Sequence, residues 1–185
     1  MKLIVICLLT LFLCTASGTQ TDNCLSAEEL KLYRLLNDYR KSLQLPVIPL
    51  SRNLSVVAQI HVRDLAENNP VTGPCNLHSW SSKGKWKPCC YTSDHKEAQC
   101  MWDKPRELSR YAGDGYEISY YHSDKVRAEE ALETWKKSEG HHQVIINRGI
   151  WKQVTWRAVG VGIYGNYGVI WFGKEPDEET CDAGH

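Results

Sequence analysis

The sequence predicts an α+β fold in which an antiparallel sheet carries helices on its faces. Segments with helical periodicity alternate with a few short strand-like segments, the first of which covers residues 115–121. Near the C-terminus two more strand-like runs, residues 158–164 and 169–172, flank a Gly-Asn-Tyr-Gly turn, which is typical of a hairpin. Without its N-terminal leader the chain has roughly 165 residues, enough for one domain with a substantial core.

The first two helices are marked by their N-terminal residues. Ser26 and Glu29 form a capping-box pattern, which predicts a helix from about residue 27 to about residue 44. A second helix is expected to begin after Ser51 or Asn53. One of its faces is apolar and is expected to be buried: Leu54, Val57, Ala58, His61 and Leu65. Because His61 lies on that face, we expect it to be a hydrogen-bonded core histidine.

A third helix is predicted over residues 125–138, with Ser123 and Asp124 at its start. Gly140 is interpreted as its stop, because glycine is common just after a helix end. His141 would then lie beyond the helix, where its side chain would be in a position to line a pocket. The expected buried stripe of this helix consists of Ala128, Ala131, Leu132 and Trp135.

The first residues indicate secretion. Lys2, an apolar run over residues 3–13 and small residues up to Gly18 are typical of a signal peptide, predicted over residues 1–18. The apolar run is too short to span a bilayer, and no other long apolar stretch follows, so we expect no transmembrane segment. Residues 19–27 are interpreted as an N-terminal extension, and residues 174–185 as an acidic, solvated tail that a disulfide of Cys181 could pin to the domain.

Six cysteines remain after the predicted cleavage, an even number in an oxidising compartment, so up to three disulfides are expected. Cys89 and Cys90 are neighbours and should reach different partners, but the sequence leaves the pairing open. Zinc-ribbon C-x-x-C pairs are absent from the sequence. The six are Cys24, Cys75, Cys89, Cys90, Cys100 and Cys181.

Charge and motifs exclude several functions. Removal of Lys2 leaves 21 basic against 22 acidic residues, a net charge of about −1, which gives no reason to expect nucleic acid or an anionic membrane as a partner. Residues 160–165 match G-x-G-x-x-G, but a strand follows where a dinucleotide site needs a helix, so packed hairpin glycines explain the match better.

The long segment over residues 70–113 is expected to be irregular and stapled by disulfides. Asn53 begins an N-glycosylation sequon at a helix start, which we expect to be partly exposed.

Five motifs in order resemble the CAP superfamily, which includes cysteine-rich secretory proteins, insect-venom antigens and plant pathogenesis-related proteins. The resemblance covers residues 28–173, interpreted as the CAP (SCP) domain. Each motif is weak alone, and the set is specific. The motifs are Ala58-x-x-His61-x-x-Asp64, Cys75-Asn-Leu-His78-Ser79, Gly115-Tyr-Glu117-Ile118, Trp135-x-x-Ser138-x-Gly140-His141 and Val159-Gly-Val-Gly162.

The resemblance implies an α-β-α sandwich around a central antiparallel sheet, with an open cleft on one side. By matching motifs, the cleft residues would be His78, Glu117, Ser138 and His141. Many animal and plant members have glutamate where this chain has Ser138, so one acidic arm of the cleft is missing. His78 and His141 are the candidate metal ligands, because two neutral imidazoles beside a carboxylate can bind Zn²⁺. Glu117 would either be a third metal ligand or orient one of the two imidazoles by a hydrogen bond to its other nitrogen.

We expect a secreted, disulfide-stabilised protein that acts by binding a sterol or other lipid, or an extracellular protein, and that requires no cofactor. The alternative is a metal-dependent extracellular hydrolase that uses the same cleft, with Glu117 as general base. A metal-free hydrolase would instead pair Ser138 with a histidine.

Overall fold

A computed structural model describes residues 24–179 and residue 181. The predicted signal peptide, most of the predicted N-terminal extension and the end of the tail lie outside these residues. None of the helices within the described part is both long and apolar enough to cross a membrane.

The described chain forms six α-helices and a three-stranded antiparallel sheet, which confirms the α+β fold. The strands are β1 (Gly115–Tyr121), β2 (Ala158–Tyr164) and β3 (Tyr167–Gly173), in the spatial order β1-β3-β2. The helices are α1 (Ala27–Ser42), α2 (Arg52–Asn68), α3 (Ala98–Trp102), α4 (Lys104–Leu108), α5 (Ala128–Lys137) and α6 (Glu139–Ile145), and a short 3₁₀ helix covers Gly149–Trp151.

The sheet separates two hydrophobic cores, so the domain has three layers. Side chains alternate between the two faces along each strand. One face of β3 presents Ile170 and Phe172 to the core beneath α1, α5 and α6. The other face presents Val169 and Trp171 to the core beneath α2. This is the α-β-α arrangement that the motifs implied.

The interior of α2 lies against the backbone of β2, and two glycines make this approach possible. A Cβ atom added at Gly160 would lie 2.1 Å from the carbonyl carbon of Leu54, and one at Gly162 would lie 2.5 Å from that of Ala58. Both distances are far shorter than a carbon–carbon contact permits. The G-x-G pattern in this strand is therefore a packing feature, as we predicted from the absence of a following helix.

The boundary predictions are mostly confirmed at the first two helices. Ser26 and Glu29 form the predicted capping box, and the Ser51 hydroxyl caps α2 through the Leu54 amide. α1 ends at Ser42, two residues before the expected end. The predicted stripe of α2 is buried, including His61.

The prediction that Gly140 stops the third helix is wrong. α5 begins at Ala128 after an extended Arg127 and ends at Lys137, and Ser138 adopts an extended backbone between α5 and α6. Gly140 lies in the first turn of α6, and no atom lies within 4 Å of a Cβ added there. α5 is therefore shorter than the helix predicted over residues 125–138, by three residues at its start and one at its end, because the sequence rules mark possible boundaries and not the positions at which packing turns the chain.

The segment over residues 70–113 is less irregular than expected, since it contains α3, α4 and an isolated antiparallel bridge between Trp80 and Cys89. Three disulfides are present, and the neighbours Cys89 and Cys90 do reach different partners. The pairs are Cys24–Cys181, Cys75–Cys90 and Cys89–Cys100.

Most residues of the described part of the acidic tail are exposed, as expected, but Asp177 and Glu179 contact the start of α2. The Asp177 carboxylate accepts hydrogen bonds from the Ser51 hydroxyl, from the Asn53 amide N–H (3.0 Å) and from the Asn53 side chain (2.8 Å). Asn53 is only 7% exposed, so the exposure on which we based its glycosylation is wrong. A glycan on its Nδ2 would have to displace the bond to Asp177.

Candidate functional site

The centre of the candidate site is Glu117, in the middle of β1. Tyr116 and Ile118 point into the α1 side of the sheet, so the alternation places Glu117 on the α2 side. Its side chain is fully buried, yet both carboxylate oxygens have partners. Oε2 contacts Nδ1 of His61, and Oε1 contacts Nδ1 of His78 at 2.7 Å. A strand, a helix and a loop therefore meet at one carboxylate.

The hydrogen bonds of His61 determine how many protons this centre holds. Nε2 of His61 lies 3.0 Å from the Ser79 carbonyl oxygen, which can only accept, so Nε2 carries a hydrogen. Nδ1 faces the Glu117 carboxylate, which also accepts when it is ionised. With Glu117 ionised, both ring nitrogens of His61 must donate, and the ring is an imidazolium.

Glu117 is held in its ionised form. Burial is the largest influence and acts against ionisation. The attraction and hydrogen bond of His61, followed by those of His78, together outweigh it, so the pKa of Glu117 lies below its usual value. A buried carboxylate between two imidazoles is thus stabilised as an ion.

Aromatic rings enclose the His61 side of this centre. The Trp80 ring stacks on the His61 ring, with centroids 4.2 Å apart and planes 8° apart, and the Trp171 ring meets His61 at its edge. Stacking of a cationic ring on an indole is favourable, because the face of the indole is electron-rich. The tryptophans therefore hold the His61 ring in one orientation as well as filling the core.

His78 reaches the centre from a loop that two disulfides staple. Cys75 and Cys90 are joined on either side of it, and the amide of Asn76 donates to the Tyr91 carbonyl at 2.8 Å. Since Nδ1 of His78 donates to Glu117, its Nε2 is the nitrogen left for other partners. The His78 side chain is 18% exposed, so this edge of the buried network reaches solvent.

A second residue of α2 secures the same loop. Asp64 lies one turn after His61 and accepts a hydrogen bond from the Ser81 amide at 2.7 Å. The Ser81 hydroxyl also donates to this carboxylate. His61 and Asp64 thus hold the backbone of residues 79–81, which positions His78.

His141 approaches from α6 and is half-buried. Burial is the main reason that its pKa is lowered; repulsion by His78 lowers it further, while Glu117 has a smaller opposing effect. His78 and Glu117 act on His141 through their charges, and no hydrogen bond joins His141 to either residue in the described part of the chain. A lowered pKa keeps the His141 imidazole neutral near pH 7, with one nitrogen lone pair available.

The neighbouring His142 serves a different contact. Its Nε2 lies 2.8 Å from the Tyr39 hydroxyl on α1, and its side chain is half-buried. Ser138 lies at the junction of α5 and α6, and its side chain makes no capping hydrogen bond. The His142 amide donates to the Ser138 carbonyl at 2.8 Å, but within the described residues no hydrogen bond joins the Ser138 hydroxyl to a histidine ring.

Sequence reasoning therefore located His78, Glu117 and His141 but left two residues out of the site. His61 was predicted to be a bonded core histidine, which is confirmed, and it also belongs to the Glu117 network. Asp64 was noticed only as part of a motif. Their spacing of three residues on the buried face of α2 was the available signal, since two polar residues on one apolar stripe need partners.

A comparison with protein families identifies the family of this chain. The model of the CAP family, described as the cysteine-rich secretory protein family, matches residues 33–173, well over half of the chain. This chain belongs to the CAP family. The match begins within α1 and ends with β3, so the CAP domain contains all four candidate cleft residues.

Solved structures with the same fold come from bacteria. An extracellular protein containing an SCP domain from Bacillus anthracis strain Ames has a TM-score of 0.57 at 19% identity, over 80% of this chain and 40% of that one. An outer surface protein from Borrelia burgdorferi has a TM-score of 0.53 at 18% identity, over 82% of this chain and 96% of that one. A cysteine-rich secretory protein from Staphylococcus aureus Mu50 has a TM-score of 0.50 at 13% identity, over 80% and 39%.

At these identities the likenesses show the CAP fold and nothing further. The chain spans about two fifths of the Bacillus and Staphylococcus proteins (40% and 39%), so these proteins are much longer than the domain they share with it. A search of curated proteins found no match.

Proposed function

We propose that this CAP-domain protein is secreted and acts by binding a polar extracellular partner at the surface formed by His78 and His141. One observation carries the proposal. Both oxygens of Glu117 are occupied by imidazoles, so the carboxylate holds His78 in place with one nitrogen directed elsewhere. A fixed, partly exposed imidazole beside a neutral one is suited to hydrogen bonding with a ligand.

Secretion is supported by the leader pattern and by the three disulfides, which persist only in oxidising compartments. Two of the similar structures are described as an extracellular protein and an outer surface protein. Asn53 glycosylation remains a prediction that the burial of Asn53 disfavours, because a sequon is modified where its side chain is accessible.

Two cavities found in the described residues do not favour a carrier of sterols or other lipids. One, of about 660 Å³, has a mixed lining in which charged side chains such as Glu28, Arg63 and Lys125 lie among apolar ones. Another, of about 620 Å³, is lined mainly by charged residues of α4 and its neighbours. Pockets for apolar ligands are lined predominantly by hydrophobic and aromatic side chains. A polar partner is thus the first expectation, and lipid the second.

The described residues give little support to a zinc site. Catalytic Zn²⁺ has three protein ligands, and within the described residues no group of three His, Cys, Asp or Glu side chains is arranged to hold a metal. Glu117 has no free oxygen, so it fits the role of a partner behind His78 better than that of a ligand. His78 and His141 remain as two nitrogen donors, and we assign no step to a metal.

A hydrolase is the second candidate, because the Glu117–His78 pair resembles the orienting acid and base of a catalytic triad. Such a mechanism needs a nucleophile or an activated water on Nε2 of His78. The Ser138 hydroxyl makes no such contact in the described residues, so binding is the better-supported function.

The deciding experiment is native mass spectrometry of the protein recovered from its secretion medium after mild cross-linking. The wild type is compared with the His78→Ala/His141→Ala double variant and with a His122→Ala control. Adducts of protein, lipid or zinc differ in mass and are distinguished in one spectrum. We expect a protein or polar adduct that only the double variant loses. A wild-type protein that carries no adduct, or an adduct that the double variant retains, would contradict the proposal.

Zinc retained by the wild type but not by the double variant would make hydrolysis worth assaying, whereas a lipid adduct would favour the carrier.

A further inference from the structure

We infer that the loop after α6 docks the protein on an anionic lipid surface, with Ile150 as the side chain that inserts. This site is separate from the His78–His141 surface and does not depend on the function proposed there. Ile150 is 85% exposed, nearly twice the exposure of Val47 and Leu43, at 44% and 43%. Single exposed apolar residues are common, so the inference needs the three further observations below.

The loop that carries Ile150 is rigid. The Trp151 amide donates to the Arg148 carbonyl at 3.0 Å, and the Val154 amide donates to the Trp151 carbonyl at 3.0 Å. The side chain of Asn147 closes the base of the loop by donating to the Val154 carbonyl at 2.9 Å. Because the loop is already ordered, presenting Ile150 to a membrane requires little further loss of conformational entropy.

Aromatic rings support the loop from below. Trp151 is half-buried, and its ring lies 5.2 Å from the Tyr116 ring and 5.3 Å from the Trp156 ring. These contacts leave Ile150, the preceding residue, pointing away from the core. Tryptophan prefers the interface between hydrocarbon and water, which is the depth that Trp151 would occupy if Ile150 entered the bilayer.

The charges beside Ile150 are positive. Arg148 and Lys152 are exposed, and neither side chain forms a salt bridge with a carboxylate in the described residues. Lys174 lies 4.4 Å above the Tyr116 ring, which itself contacts Trp151. Carboxylates are present as well: Glu139 accepts at 2.6 Å from the side chain of Gln143, which lies against Gly149, and Glu175 follows Lys174 in the chain.

The positive charge around Ile150 is a local feature. The net charge of the whole chain is close to zero, and for that reason we did not expect the protein to bind an anionic membrane. Basic side chains near a surface attract anionic lipids, and an apolar tip between them adds insertion. A specific protein partner needs roughly 800 Å² on each side, far more than one isoleucine offers, whereas fluid lipid rearranges around a small protrusion. An anionic bilayer is therefore the occupant that the loop fits.

The test is co-sedimentation of the full secreted protein with vesicles of phosphatidylcholine, with and without phosphatidylserine. We expect binding to the vesicles that contain phosphatidylserine, weakened by added salt. Ile150→Ser should weaken the partitioning about tenfold, from the lost burial of one apolar side chain. Val56→Ser, at a 36% exposed position on α2, is the matched control and should bind as the wild type does.

Arg148→Gln with Lys152→Gln should lower the binding and its salt dependence. Thermal unfolding should be unchanged in all of these variants, because the altered side chains are exposed. The inference is overturned if the protein binds neither kind of vesicle, or if Ile150→Ser binds the vesicles as well as the wild type does. It is also overturned if size-exclusion chromatography shows self-association through Ile150 and the protein does not bind vesicles.

Discussion

Two separate substitutions of Glu117, by leucine and by glutamine, test how many protons the buried cluster of His61, Glu117 and His78 holds. Leucine cannot accept a hydrogen bond, so Nδ1 of His78 and Nδ1 of His61 both lose their partner. Removal of one member of a buried charge pair costs about 3–5 kcal/mol. For a chain of this length 1 kcal/mol corresponds to about 2–4 °C, so Glu117→Leu should lower the melting temperature by about 6–20 °C.

Glu117→Gln should cost much less, about 1 kcal/mol. The glutamine oxygen can accept from His78, and its amide N–H can donate to His61 if that ring gives up its second proton. The required hydrogen bonds are thus kept without charge. Buried ion pairs can often be replaced by neutral groups at little cost, provided that no polar atom is left unpaired.

The assay is thermal unfolding of both variants at pH 7, with nitrogen NMR of the histidine rings. His61 should carry two ring protons in the wild type and one in Glu117→Gln. Glu67→Leu, at an exposed position of α2, is the control and should change stability by at most about 0.5 kcal/mol. Equal destabilisation by glutamine and leucine would refute the reasoning, as would a singly protonated His61 in the wild type.

Three further predictions concern the scaffold. Gly160→Ala should destabilise the fold by about 3 kcal/mol in a denaturant titration, because the new Cβ meets helix backbone that cannot move aside; a loss below about 1 kcal/mol would contradict the close approach. Gly140→Ala should stabilise the protein by about 0.5–1 kcal/mol, since Gly140 lies inside α6; destabilisation would revive the helix-stop interpretation. Asp177→Asn should cost about 1 kcal/mol at pH 7, as for loss of a helix cap. Burial raises the pKa of Asp177, but its hydrogen bonds outweigh this and lower it, so its contribution is present above the unfolded pKa of about 3.9 and is lost as the pH falls through the lower folded value. The two proteins should therefore converge in stability at acid pH, and a gap that persists would argue against an ionised cap.

Much of the site could be predicted, because most of its residues belong to the motifs. The role of each residue could not, because it depends on contacts between residues that are far apart in the sequence. His61 was predicted to be buried and bonded, but its partner lies 56 residues away on β1. Glu117 was predicted as either a ligand or an orienting group, and the pair of imidazoles on its two oxygens favours the second. Ser138 was predicted at the cleft, and within the described residues no hydrogen bond joins its hydroxyl to a histidine ring; its carbonyl accepts from the His142 amide.

The sequence by itself determined the local structure: the capping box of α1, the buried stripe of α2, the terminal hairpin and the family. These signals depend on residues within one or two turns, or on adjacent strands, so a window of sequence contains them. Only the tertiary structure decided the disulfide partners, which are separated by 11, 15 and 157 residues, the docking of Asp177 on α2 and the meeting of two imidazoles at one carboxylate. Such pairings depend on which surfaces become neighbours when the sheet is enclosed, and burial then fixes their hydrogen bonds and charges.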